Sequence, residues 1–286
     1  MSIKEADTVL PVTRGETTRV RERRSVMRPS RWKRYEALVL GTASVVGVLT
    51  AWQLVANAKV VPVFFPGPLA ISEALAKLFT DPRSEIWIDL ATSGQELAMG
   101  YGGAIVVGLV IGILMGWYTR FQYALDPWVN FFYSTPRIVL IPLFIIWLGI
   151  DWPSKVAVIF LGAVFPIIIN TMAGVRNTDS SLLRVARSFG ASEALIFRRV
   201  VLPGAVPFIL TGFRLGVGHA LTGVIVAEYI AARHGIGKFI ADTSVTLQMP
   251  KMFAGVVFIA GTGVLLTWLI QRIENRFQRW RPQIKS

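Results

Sequence analysis

The chain has 286 residues, 53% of them hydrophobic and only 16% charged, where a soluble domain carries about 25% charge. One water-facing core cannot hide that much apolar surface, so a bilayer is the expected solvent. A formal net charge of +13 raises nucleic acid as a partner; the placement of the charges argues against it. With no cysteine in the chain, a disulfide framework and a thiolate metal site are both excluded.

Residues 1–35 form a basic head, ending in VRERRSVMRPSRWKR, with ten Lys and Arg. Like charges and few apolar residues predict a segment that is disordered or lies on anionic lipid headgroups. It is too long and polar for a cleavable signal peptide, so the apolar run after it is expected to stay as an anchor. Crossing ~30 Å of hydrocarbon takes ~20 apolar helical residues. Uncharged windows of 22, 23, 20 and 20 residues follow Glu36, Glu96, Lys155 and Lys251, and two more are interrupted by Arg137 and Arg214 alone. Six spans are predicted: 37–58, 91–118, 129–150, 155–175, 205–228 and 252–271. Between the first two, VPVFFPGPLAISEALAKLFTDP reads as a Pro/Gly turn and an amphipathic helix over 69–79. Its Leu69, Leu75, Leu78 and Phe79 are expected at the membrane interface.

The second span carries Gly100, Ala104, Gly108, Gly112 and Gly116, one small residue every four. Such a ladder lets another backbone approach closely in lipid. Arg137, in STPRIVLIP, is placed near the start of the third span, where it snorkels to lipid heads or lines an inner mouth. Pro142 and Pro166 each remove a helical donor and free a carbonyl one turn back. Kinks are expected at both, with Asn170 near enough to satisfy the second.

The fifth span repeats the small face with Gly212, Gly216 and Ala220. At 100° per residue Arg214 lies opposite that stripe, with Gly218, Leu221, Ile225 and Glu228 within about 40° of it. An arginine inside a span costs roughly 2.5–3.5 kcal/mol on insertion scales and so should face protein or water. Two readings stay open: Arg214 and Glu228 border a polar pathway, or Arg214 caps loop carbonyls and Glu228 sits at the outer interface. His219 projects nearer the packing stripe, which favours an interhelical hydrogen bond over ligand binding.

Between the fourth and fifth spans lies RVARSFGASEALIFRRVVLPGAVP, a charged insert among apolar stretches. Asp179, Ser180 or Ser181 can cap a first short helix, with Leu182, Val185, Ala186 and Phe189 at helical spacing. Gly190 stops it. Ser192 caps a second, whose Glu193 and Arg198/Arg199 suit the two ends of the helix dipole. Pro203 and Pro207 set the angle of the fifth span. The result is a stiff, bent projection suited to pushing on another protein.

Lys and Arg accumulate on the cytoplasmic side of membrane proteins. Twenty-one lie in the head, the 119–128 and 176–203 loops and the tail, against seven on the other side. Both termini and the 176–203 loop are therefore expected in the cytoplasm. The fold class is an all-α membrane protein of about six transmembrane helices: one domain over 36–271, a loop at 176–203 and a basic tail over 272–286.

The spacing of Ala186, Gly190, Val200, Leu202 and Pro203 resembles the cytoplasmic EAA loop of ABC importer permeases, with Arg184 and Val185 where that motif has glutamate and alanine. FPGP (65–68), DPWVNFFYSTPRIVLIPLFIIWLGI (126–150), FPIIINTMAGVRNTD (165–179), GFRLGVGHALTGVIVAE (212–228) and HGIGKFI (234–240) are similar to the nitrate/sulfonate/taurine/bicarbonate branch of that family. The resemblance covers about Phe65 to Trp280. It implies the type I importer (MetI-like) permease fold, in a bacterial inner membrane. It also implies two copies of this chain, two ATP-binding subunits, an extracytoplasmic binding protein and a small solute as cargo. Arg184, Val185, Ala186, Phe189, Gly190, Ala191, Ser192, Glu193, Leu202 and Pro203 would form the ATPase-coupling loop. Arg137, Arg214, Leu221, Ile225 and Glu228 are the candidate pathway residues. Glu96 stands where the branch has arginine; an acid there changes the cavity's charge and weakens the case for an anionic cargo. No phosphate loop, zinc signature or nucleophile elbow occurs, so the chain is expected to bind no cofactor, with ATP and Mg held by the partner. A secondary transporter or channel is the alternative, though residues 37–150 do not echo 155–271 as repeated halves would.

Overall fold

The computed structural model describes residues 31–58 and 64–277. Every regular element among them is helical: α1 (Arg31–Asn57), α2 (Pro68–Thr80), α3 (Ile86–Trp117), α4 (Thr119–Ser134), α5 (Ile141–Leu148), α6 (Trp152–Arg176), α7 (Ser180–Ser188), α8 (Glu193–Ile196), α9 (Leu202–Ala231), α10 (Ile236–Val245) and α11 (Met249–Phe277). A 3₁₀ turn over Arg137–Leu140 precedes α5, and a π turn over Phe197–Val201 joins α8 to α9. The described residues up to Thr50 and those from Ala51 onward fall into two compact units. The basic head over 1–30, residues 59–63 at the start of the Pro/Gly turn and the tail over 278–286 lie outside the described residues. Among those described, five helices are long and apolar enough to cross a membrane, or six if the bent α4–α5 pair is one span.

The second unit is built around α6, which lies between α3 and α9. On one side the α3 ladder meets a matching row on α6. A Cβ placed on Gly100, Gly108, Gly112 or Gly116 would stand 2.6–2.8 Å from Ile159, Ile167, Thr171 and Val175 respectively. On the other side Gly212 meets Asn170 and Ile167, and Gly223 meets the Ile159 backbone. Ile159, Ala163 and Ile167 are wholly enclosed as a result. Lipid supplies no hydrophobic drive between helices, so such backbone proximity supplies the dispersion contact that holds them. Tyr101 adds a polar tie, its hydroxyl donating to the Phe213 carbonyl at 2.8 Å.

Several expected boundaries move. The third span, predicted continuous over 129–150, is broken: α4 and the segment from Arg137 to Leu148 meet at 91°, with Thr135 extended, as the residue before a proline prefers. Pro142 does not kink a helix; it sits in the first turn of α5, where no donor is missed. Pro166 lies inside α6, which runs unbroken through it. The α2 helix buries Ile71, Ala74 and Leu78, of which Leu78 packs with Ile236 and Ala254, while Leu69 and Phe79 stay exposed. Its buried stripe thus faces protein from α10 and α11, rather than the interface alone.

The ladder predicts its own sensitivity. Gly112→Ala places a Cβ 2.6 Å from that of Thr171 and should cost about 1–3 kcal/mol in mixed-micelle unfolding. Gly102→Ala, with nothing within 4 Å, should be neutral or stabilising by up to about 1 kcal/mol.

Candidate functional site

Three polar constellations interrupt the apolar bundle. The first lies at the break in the third span. Pro166 has no N–H to give the Gly162 carbonyl one turn back, and Arg137 Nη1 donates to that carbonyl at 3.4 Å. Arg137 Nη2 donates to His219 Nδ1 at 3.0 Å; since guanidinium only donates, the ring nitrogen is the acceptor. Arg137 therefore does not sit near the cytoplasmic start of a continuous span. The preceding α4 brings it to the middle of α6 and α9, beside a cleft of about 370 Å³ lined by Tyr133, Ser134, Ile141, Val158, His219 and Thr222 among others. His219 makes the interhelical hydrogen bond that its position on α9 favoured.

The second constellation is buried where α3, α9 and α10 meet. Gly235, Ile236 and Gly237 are consecutive, and each N–H finds a side-chain acceptor: Asp89 Oδ1 at 2.8 Å, Ser93 Oγ at 2.8 Å and Glu228 Oε2 at 2.6 Å. The Ser93 hydroxyl donates onward to Glu228 Oε1 at 2.6 Å. These groups satisfy the first turn of α10, whose donors have no helical partner. Gly235 has φ +129°, and a side chain there would run into the Glu228 carboxyl. Close by, Lys155 Nζ stands 3.6 Å from Glu96 and donates to the Ile150 carbonyl at 3.1 Å. Both ends of that pair are buried.

The third is the 176–203 insert. Asp179 caps α7, its carboxylate accepting from Ser181 N at 2.7 Å. The Ser181 side chain and backbone hold the Asp179 carboxyl below the usual carboxylate range. Gly190 takes φ +73°, a left-handed turn that suits glycine, and Ser192 caps α8. Arg187 Nε and Glu193 Oε1, 3.1 Å apart, bridge the two arms. Leu183 and Ala186 pack inward with buried Ile196 and Val201, whereas Leu182, Val185 and Phe189 are exposed. Arg184 Nη1 reaches Ser180 at 3.3 Å. The second arm does not end at Leu202-Pro203. The Leu202 N–H donates to Phe197 O in a π turn, which accommodates the donor lost at Pro203, and Glu193–Ala231 runs as one 39-residue apolar helical stretch.

The five pathway candidates are not brought together. Arg214 and Glu228 stand about 21 Å apart along α9 by helical rise. Arg214 Nη2 lies 2.5 Å from Glu274 of α11, so it ties two helices rather than capping loop carbonyls. Glu228 is fully buried on protein donors, not at an outer interface. Leu221 packs under Gly263 of α11, and Ile225 is half-buried with its carbonyl against Gly237. Sequence reasoning passed over Asp89, Ser93, Lys155 and the Gly235–Gly237 run as functional groups. The signal for the first two was present: Asp89, Ser93 and Glu96 recur at i, i+4 and i+7, one face of a helix.

Apolar spans, a broken one with a polar cleft beside it and a charged elbow define a polytopic membrane permease. The chain belongs to the family of binding-protein-dependent transport system inner membrane components, whose match covers residues 104–279. It is 34% identical to the putative aliphatic sulfonates transport permease protein of Bacillus subtilis (strain 168), over 97% of each chain. Identity to the taurine transport system permease protein of Escherichia coli (strain K12) is 31%, over 89% of this chain and 94% of that one. Among solved structures, the fold resembles the inward-facing MetNI methionine ABC transporter at TM-score 0.59 and 18% identity, over 68% of this chain and 99% of that one.

Glu228→Ala would strand the Gly237 N–H and the Ser93 hydroxyl, at about 1–3 kcal/mol each. Amide exchange over 235–237 should then rise at least tenfold, and by less in Glu228→Gln, which keeps an acceptor.

Proposed function

We propose that this permease is the membrane subunit of an ATP-driven importer for a small solute of the sulfonate, taurine, nitrate or bicarbonate kind. Two copies would frame the route, two ATP-binding subunits carrying ATP and Mg would dock on the 176–203 elbow, and an extracytoplasmic binding protein would deliver cargo. Both termini would lie in the cytoplasm of a bacterial inner membrane, where the basic residues are concentrated. The cargo kind is taken from the relatives named for aliphatic sulfonates and taurine.

One observation carries the coupling role. The elbow presents exposed Leu182, Val185 and Phe189 at its tip, while its second arm is helically continuous with α9. A push on the tip crosses the Gly190 turn, which the Arg187–Glu193 pair bridges, and from Glu193 on meets no break before the membrane helix. In this reading Arg184, Val185, Phe189, Gly190, Ala191, Ser192 and Glu193 receive the ATPase, and Ala186, Leu202 and Pro203 anchor the elbow to the bundle. Of the pathway candidates, Arg137 lines the larger cleft, of about 370 Å³, and Leu221 a small one of about 60 Å³.

The chain should co-purify with an ATPase, and vesicles holding the complete importer should take up cargo only with ATP. A flexible Gly/Ser insertion after Ala191, or Gly190→Pro, should abolish uptake while leaving the complex assembled. Full-rate transport by the chain with no ATPase present would instead make it a secondary transporter or channel.

A further inference from the structure

The cleft at the broken third span holds a cation with no acidic partner among the described residues. Among the described residues, the ion pairs are those of Lys155, Arg187, Arg214, His234 and Lys238; Arg137 has none. The nearby buried acids are already engaged. Glu96 pairs with Lys155, and Glu228 accepts from Ser93 and Gly237, so the acid at position 96 does not offset the charge in the cleft. His219 accepts from Arg137 and so orients the guanidinium without adding a second cation.

Depth separates this arginine from a lipid-bound one. Gly162, which Arg137 touches, lies about 15 Å from the Trp152 end of α6 and about 21 Å from the Arg176 end. His219 is about 26 Å and 18 Å from the two ends of α9. The guanidinium is therefore near the middle of ~30 Å of hydrocarbon, out of range of phosphates on either side. Of its five N–H groups, two are taken up by Gly162 and His219. Three remain in the guanidinium plane, which can offer an oxyanion charge-assisted contacts. Around it the cleft mixes hydroxyls of Tyr133 and Thr222 with the apolar walls of Ile141 and Val158, in about 370 Å³.

We infer that Arg137, oriented by Gly162 and His219, is the specificity-determining residue of this cleft. It grips the oxyanion group of a small organic solute whose apolar body lies against Ile141 and Val158. That the solute is transported cargo rests on the importer reading above; that the cleft binds an oxyanion does not.

The test uses the full chain in lipid nanodiscs with ethanesulfonate and its neutral analogue ethanesulfonamide as probes, read by saturation-transfer NMR. The wild-type chain should bind ethanesulfonate at least tenfold more tightly, since charge-assisted forks are the stronger contact. Arg137→Met should remove that preference, Arg137→Lys should keep part of it, and His219→Phe should weaken it several-fold. Equal binding of the two probes by wild type overturns the proposal, a result that needs no variant to fold. So does a preference that survives Arg137→Met. Discs of phosphatidylcholine alone and discs with phosphatidylglycerol should agree; competition by phosphatidylglycerol would make the cleft a lipid site and also overturn it. ATP is absent throughout, so failure here is distinct from failure of ATP-dependent uptake.

Discussion

Everything else in the bundle depends on how closely the backbones of α3 and α9 approach α6. In lipid, apolar side chains gain little by leaving the solvent for each other, so helix association rests on dispersion between well-fitted surfaces. Removing the Cβ at every fourth residue of α3 lets the β-branched row Ile159, Ile167, Thr171 and Val175 of α6 fill the space. That fit fixes the register of α3 on α6, and α9 is fixed from the other side. Only with the register fixed can Asp89 and Ser93 of α3 meet the start of α10 and Glu228 of α9. Small residues thus set the positions at which the polar ones act.

Proline enters the same design by what it takes away. Each proline inside a helix leaves a carbonyl without its donor, and in hydrocarbon that carbonyl must be met by something else. At Pro166 the Asn170 side chain donates to the proline's own carbonyl at 2.8 Å, while the freed carbonyl of Gly162 receives Arg137. The helix stays straight enough to be continuous, and the cost of the missing bond becomes a binding point for a side chain from another span. At Pro203 the repair is internal, through the wider π turn before it. One proline recruits a cation to mid-depth, and the other lets a surface arm flow into a membrane helix.

Much of the fold was legible because its signals are local. Charge-free windows located the spans, small residues at four-residue spacing located the packing faces, and Asp179, Gly190 and Ser192 marked the elbow's caps and hinge. What was not legible depends on partners distant in sequence. Arg214 stayed between a pathway role and capping loop carbonyls because its partner, Glu274, is 60 positions away, on α11. Glu228 stayed between a pathway acid and an interfacial one because the N–H groups it serves belong to a loop that must first fold back onto it. The third span looked continuous because hydropathy is blind to direction, and Pro136 turns the chain without changing its apolar content. Lys155 served as the boundary of a charge-free window, although it lies within α6 and pairs inward with Glu96.

The three polar constellations lie on one mechanical line. The elbow's hinge at Gly190 is braced by Arg187 and Glu193, and from Glu193 the helix runs about 58 Å to Ala231 by its rise. His219 lies partway along that rod and Glu228 near its far end. Gly162, by contrast, belongs to α6, which α3 grips through the ladder. A tilt or rotation of the rod would therefore act on the α6–α9 contact where both of Arg137's supports meet, since Gly162 packs against the His219 carbonyl. The same motion would pull Glu228 against the first turn of α10, which Asp89 and Ser93 hold to α3. In the proposed importer a force on the elbow would thus loosen the grip on an oxyanion at mid-depth and load the α10 attachment at the far end in a single stroke. That arrangement favours linking the orientation of the binding cation to the position of the coupling arm over a fixed, permanently armed site.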